Sequence, residues 1–200
     1  MDLHRSSLLE EAGWALGGTW RLVLSRSDAP SWFDFSQRGL AGSFVPLIIA
    51  YAAFVAFMGL GAQQAQIFSA ASLLFIFGAL VCARFLALRL IFPRLGVLHA
   101  FRPVLVAINW SNAFTLAAIL ITIFAVSFLG AFLLGADSGG TLVNTILIVW
   151  AALGLAMLVV EINILRLIAG LGAGDVVIVL AAQIFSLIVA ALILGQLPLH

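Results

Sequence analysis

Residues 176–195 read VVIVLAAQIFSLIVAALILG, twenty successive positions without an ionisable side chain. A helix rises about 1.5 Å per residue, so this stretch reaches about 30 Å, the thickness of the hydrocarbon layer of a bilayer. Four stretches of the same kind precede it, at about 44–62, 67–92, 113–135 and 141–165. In hydrocarbon a backbone has to satisfy its own N–H and C=O groups, and a helix does so within one segment. The expected fold is therefore all-α: a polytopic membrane helical bundle with five transmembrane helices and an N-terminal amphipathic helix. Two regions follow, an interfacial segment at 1–43 and a transmembrane domain at 44–197.

Composition points the same way. Hydrophobic residues make up 64% of the 200 and charged residues 8%. A soluble domain carries about a quarter charged residues, and the sixteen phenylalanines here would lack polar surface to cover them. A single cysteine, Cys82, excludes a disulfide scaffold, and a net charge of +1 argues against a nucleic-acid partner. All nine basic residues are arginine, which with the Ala/Leu/Gly-rich composition suits a GC-rich bacterial coding sequence.

Ahead of the first span, Arg21, Arg26, Asp28, Asp34 and Arg38 occupy the region where a cleaved signal would place its apolar core, so none is expected. Leu9, Ala12, Leu16, Trp20 and Val23 recur at helical spacing, while Glu10, Glu11, Arg21 and Ser25 fall largely elsewhere. Residues 6–26 are expected to form a helix that lies in the membrane interface, packs on the bundle, or does both. Trp14, Trp20 and Trp32 suit the headgroup layer. Asp34 or Ser36 is placed to cap a helix leading into the first span, and Pro46 falls in the opening turn of that span.

The arginines orient the chain. With the N-terminus in the cytoplasm, the inner segments hold Arg5, Arg21, Arg26 and Arg38, then Arg84, Arg89, Arg94 and Arg102, then Arg166, and the outer segments hold none. Asp137 is the single outer charge. This is the positive-inside pattern, and it puts the C-terminal end outside, in a cell inner membrane.

Arg84 to Arg102 concentrates four arginines and His99 with no acid; Pro93 within it is expected to end the second helix, and Pro103 just after it to open the third. Arg84, Arg89, Arg94 and Arg102 are thus candidate contacts for anionic lipid headgroups or an acidic partner, and equally serve to fix topology. Asn109, with Ser111 and Asn112, sits where the third helix enters the membrane and is expected to bond across to another helix.

Glu161, Asn163 and Arg166 form a second polar group. At five residues apart, Glu161 and Arg166 are about 140° from facing each other around one helix, so each needs a partner elsewhere. Arg84 or Arg89 is the natural counter-charge for Glu161. The pair reads either as a structural tie or as a proton or ion site. Gln183 with Ser186, and Thr115 with Thr122, read as ordinary packing, as do the small-residue pairs Ala52/Ala56 and Ala113/Ala117.

Gly172-Ala-Gly174-Asp175 resembles the Gly-x-Gly-Asp motif of intramembrane aspartyl proteases. That chemistry needs a second carboxylate sharing a proton with the first, and none is placed for it. The glycines are better read as a turn, with Asp175 capping the fifth helix. His4, His99 and His200 are scattered, so no metal and no cofactor is expected.

The layout resembles the Yip1-type family: a cytoplasmic amphipathic N-terminus, five closely spaced helices and a short exoplasmic C-terminal end. Phe33-Asp-Phe-Ser-Gln-Arg-Gly39 and Ser43-Phe44 also have the look of bacterial inner-membrane proteins. Eukaryotic members of the family bind small GTPases and shape membranes. Their Asp-Leu-Tyr-Gly-Pro string is absent here, so the resemblance implies topology and not that role. The expected function is that of a non-enzymatic accessory, assembly or scaffold component, working through helix contacts and a basic cytoplasmic loop. Its partners would be anionic lipids and a membrane protein or a second copy. The alternative is a small transporter or ion pathway through Glu161, Asn163, Arg84 and Asn109.

Overall fold

The computed structural model describes residues 7–65, 70–133 and 139–196. Arg5, Asp137, His4 and His200 lie outside the described residues. The regular structure described is entirely helical: α1 (Leu8–Val23), α2 (Gln37–Ala65), α3 (Ala70–Ile91), α4 (Phe101–Leu133), α5 (Gly139–Asn163) and α6 (Ala173–Leu194). Short 3₁₀ turns at Ala29–Trp32 and Leu98–Ala100 lead into α2 and α4, and a π turn at Ile164–Ile168 continues α5. Five of the helices are long and apolar enough to cross a membrane.

The helices run antiparallel in succession, so the starts of α2, α4 and α6 share one end of the bundle with the ends of α3 and α5. Every described Arg, Asp and Glu lies toward this end, hereafter the basic end. α4 is the central helix. Its residues Val104 to Ser111 are buried all round, as a helix enclosed by neighbours must be. α2, α5 and α1 pack on it, and α6 packs mainly on α3. An aromatic seam joins α2 to α3, with Phe44 edge-on to Phe85 and Phe54 edge-on to Phe77.

Local chemistry moves several boundaries away from those the hydropathy predicts. α2 begins at Gln37 and not near 44, because Ser36 caps it: its Oγ accepts the Gly39 N–H at 3.1 Å. Asp34 braces the cap, accepting the Ser36 N–H at 2.9 Å and its hydroxyl at 3.0 Å. Pro46 consequently lies inside α2 rather than in its opening turn, at a cost transmembrane helices tolerate. α4 begins at Phe101, ahead of the span expected from about 113, because Asn109 and Ser111 find partners on other helices and need not stay at the water boundary. The N-cap of α6 is Gly172 and not the expected Asp175, which lies three residues on in the first turn, beside the positive end of the helix dipole. Gly96 (φ +73°) and Gly170 (φ +70°) occupy the left-handed region and close the turns after α3 and the π turn.

α1 carries a full capping box: the Glu10 N–H donates to Ser7 Oγ, and the Ser7 N–H donates to Glu10 Oε2. Its packing face overlaps the predicted stripe only at its edge, through the partly buried Ala12 and Val23. Ala15, Gly18 and Leu22 are buried, whereas Leu9, Leu16 and Trp20 are exposed at 86%, 54% and 61%. Small residues let the helix settle closely onto its neighbours, and a Cβ at Gly18 would come within 2.7 Å of the Phe33 ring. Trp14 packs on Trp32 with ring centroids 5.8 Å apart. The Arg21 guanidinium lies over the same Trp32 ring, 3.7 Å from its centroid, in a cation–π contact.

Candidate functional site

Four polar groupings occupy the basic end, and they divide the residues singled out in the sequence. The first is an ion pair inside the bundle. Arg84 Nη2 of α3 lies 2.6 Å from Glu161 Oε1 of α5, and its Nε donates to Gln183 Oε1 of α6 at 2.7 Å. Arg84 and Glu161 are each seven residues from the end of their apolar span, and Gln183 is ten from the start of its own. At the helical rise those positions are about 10 Å and about 15 Å along the spans. The side chains of Arg84 and Glu161 are 17% and 16% exposed. The contact ties three helices together where hydrocarbon would penalise either charge alone. The counter-charge expected for Glu161 is thus Arg84 and not Arg89. Arg84 leaves the set of candidate lipid contacts, since its guanidinium is engaged inside the bundle.

The second grouping joins α2 to α4. The amide of Asn109 donates to Ser43 Oγ at 3.0 Å, and the Ser43 hydroxyl donates to the Leu40 carbonyl at 2.8 Å. Both residues are fully buried.

The third docks α1. Asn163 Nδ2 donates to the Leu22 carbonyl at 2.8 Å and to Ser25 Oγ at 2.9 Å. Leu22 belongs to the last turn of α1, where carbonyls have no partner further along the helix and turn to the following loop or to other helices. Ser25 holds the left-handed conformation (φ 55°), which is usually given to glycine. The turn already closes on itself, the Ser25 N–H donating to the Leu22 carbonyl at 3.0 Å and the Arg26 N–H to the Arg21 carbonyl at 2.9 Å, and Asn163 adds a second donor to the Leu22 carbonyl from another helix. The hydroxyls of Thr19 and Ser111 lie 3.4 Å apart and link α1 to α4. Asn109, Asn163 and the Arg84–Glu161 pair thus serve separate contacts and are not assembled around one polar path. Arg166 is exposed on the π turn.

The fourth is a cleft of about 640 Å³ between the start of α2, the end of α3 and the start of α4. Gln37, Arg89, His99 and Arg102 supply its polar lining, all of them exposed, and no carboxylate lines it. Leu40, Leu105 and Phe101 supply apolar wall. Arg89 is held over the Phe101 ring, 5.6 Å from the centroid, again a cation–π geometry. Arg94, exposed on the turn after α3, is not part of the lining. What this arrangement offers is positive charge and hydrogen-bond donors beside apolar surface. That is the chemistry of binding an amphiphilic anion.

Sequence reasoning misses two participants. Gln183 reads there as ordinary packing, yet it is buried and accepts a hydrogen bond from the arginine of the ion pair. The available signal is a lone amide in an otherwise apolar run of twenty. Gln37 escapes notice because it precedes the span that hydropathy outlines. Thr115 and Thr122 do behave as packing residues, donating to the carbonyls of Ser111 and Ala118 one turn back. Among the described residues no cluster of His, Cys, Asp and Glu is arranged to hold a metal ion. No protein-family model, no curated protein and no solved structure matches this chain.

Proposed function

We propose that this protein is a non-enzymatic accessory, assembly or scaffold component of a bacterial inner membrane, with its basic end and α1 in the cytoplasm and the C-terminal end of α6 outside. One observation carries the reading. Of the four arginines between 84 and 102, one is neutralised within the bundle, while Arg89, Arg94 and Arg102 stay exposed with no carboxylate partner among the described residues. Charge left unpaired in this way is available to an anionic surface or an acidic partner. Supporting it is the use made of the other polar residues. Asn109, Asn163, Glu161 and Arg84 are all engaged in tying helices together, which is what a protein working as a rigid membrane platform requires.

The test is native mass measurement on the full chain extracted from its own membrane in a mild detergent. The expected result is an assembly, either with another membrane protein or of several copies, carrying bound phospholipid. The expected effect of R89Q/R94Q/R102Q is loss of that assembly at physiological salt, with the individual chain still folded. A bare monomer with neither partner nor retained lipid would sink the reading.

A further inference from the structure

We propose that the cleft between α2, α3 and α4 is a binding site for the phosphate-bearing headgroup of an anionic membrane lipid, with Arg89 and Arg102 clamping the phosphate, Gln37 and His99 donating hydrogen bonds, and Leu40 and Leu105 receiving the apolar shoulder of the lipid. The inference rests on the reading of the basic end as a binding surface, and it names the ligand class and the two arginines that select it.

Charge pairing sets three arginines aside, and the lining of the cleft singles out two of the others. Arg21 pairs with Asp28, Arg38 lies 3.7 Å from Glu11, and Arg84 pairs with Glu161. Arg89 and Arg102 face one shared concavity with no carboxylate in its lining. Two guanidinium groups there repel each other unless an anion sits between them, and a phosphate matches their forked donors two at a time.

Depth selects a lipid over a soluble anion. Gln37 is the first residue of the apolar span of α2, Arg89 lies two residues inside the end of that of α3, and Arg102 lies four residues inside the start of that of α4. The lining is therefore level with the ends of three membrane-length segments, where headgroup phosphates reside. Its lining is mixed, guanidinium and imidazole together with leucine and phenylalanine. Free phosphate has no use for the second kind of surface, whereas a glycerophospholipid carries both kinds. The cleft's volume of about 640 Å³ accommodates a headgroup with its glycerol. It lies well within the usual range for sites that bind small molecules.

Preorganisation adds to the case. Arg89 is already held against the Phe101 ring, so less rotamer freedom is lost when an anion arrives. The cleft also opens beside the start of α4, where the positive end of the helix dipole adds to the same sign of potential.

The experiment uses the full chain in detergent micelles, doped in turn with phosphatidylglycerol, phosphatidic acid or phosphatidylcholine, with retained lipid counted by native mass spectrometry. Wild type is expected to hold an anionic lipid about tenfold more tightly than phosphatidylcholine. R89Q/R102Q should lose about tenfold in that affinity, the size expected when two solvent-screened rather than buried charges are removed. R89K/R102K, which keeps the charge but not the fork, should fall between the two, and Arg94→Gln should stay within about twofold of wild type. Unchanged retention in R89Q/R102Q, or an equal loss in Arg94→Gln, overturns the site. Displacement of the lipid by inorganic phosphate would assign the cleft to a free anion and overturn the lipid. Because assembly mass is read in the same spectrum, the two readings separate. Lipid lost with the assembly intact counts for this site alone, and an absent assembly with lipid retained counts only against the accessory role.

Discussion

Glu161 is the residue on which the interior of the bundle turns. A carboxylate about 10 Å along an apolar span is tolerable only with a counter-charge. Arg84 supplies it from another helix. Replacing Glu161 with Gln leaves that guanidinium uncompensated beside Gln183. The expected cost is about 3 kcal/mol of bundle stability, since breaking a buried pair from one side leaves a bare charge. R84Q/E161Q, which removes both charges, should recover most of the loss. Reversible unfolding in mixed micelles measures all three variants, and a double variant no more stable than Glu161→Gln alone contradicts the pairing. The need for a partner was legible in the sequence, because Glu161 and Arg166 fall on different sides of one helix. Which arginine answered it was not. Arg84 and Arg89 both lie near the right depth, and only the rotation of α3 turns the first inward and leaves the second exposed.

At the level of elements, α1 shows how a periodic stripe can be real and still not be the packing face. Leu9, Leu16 and Trp20 do share a side, and that side points away from the bundle. The contact is made by Ala15, Gly18 and Leu22, and it is completed by Asn163 reaching from α5. The low bulk of Ala15 and Gly18 permits the close approach. The outward stripe remains free to meet the interface, as the hydrophobic spacing implies. Asn163→Ala should therefore act on α1 more than on the span that carries it. Two hydrogen bonds are lost, about 1–2 kcal/mol in all, and the left-handed turn at Ser25 loses its brace. Amide exchange in 8–23 is expected to quicken about tenfold while α6 is unaffected; uniform change across the chain would show that Asn163 holds the whole bundle instead. The π turn after Asn163 fits the same need, since Asn163, Ile164 and Leu165 are buried in succession where α1, α4 and α6 close around the end of α5.

On the scale of the whole molecule, the packed core sits at the basic end. Leu22, Leu88, Phe92, Val104, Ile108, Ile164 and Leu165 are all buried there, whereas farther along the spans Leu147, Ile148, Phe185 and Leu192 are more than half exposed. The asymmetry has a physical source. Between helices in lipid there is no hydrophobic driving force, because acyl chains are as apolar as leucine, but α1 and the connecting turns at the basic end reach water and do gain from burial. Phe92 is fully buried and Ile148 is 70% exposed. Phe92→Ala should therefore cost about 3–5 kcal/mol, and Ile148→Ala under about 1 kcal/mol. Unfolding midpoints in micelles would show the contrast, and equal losses would mean that stability is spread evenly along the spans.

The chain of 200 residues determined its own class and its helix count by itself, because the cost of leaving backbone groups unpaired in hydrocarbon depends only on length and side-chain polarity along one segment. It also determined which end carries the arginines. Tertiary structure decided what each arginine does. Whether a guanidinium meets Glu161, a tryptophan ring or an open cleft depends on how helices from distant parts of the chain are rotated against one another. That rotation is set by the close packing of Gly18, Ala15 and the buried length of α4, and by amide partners such as Asn109 and Asn163, whose bonds reach across 66 and 141 positions. No spacing along a single helix encodes a contact of that range.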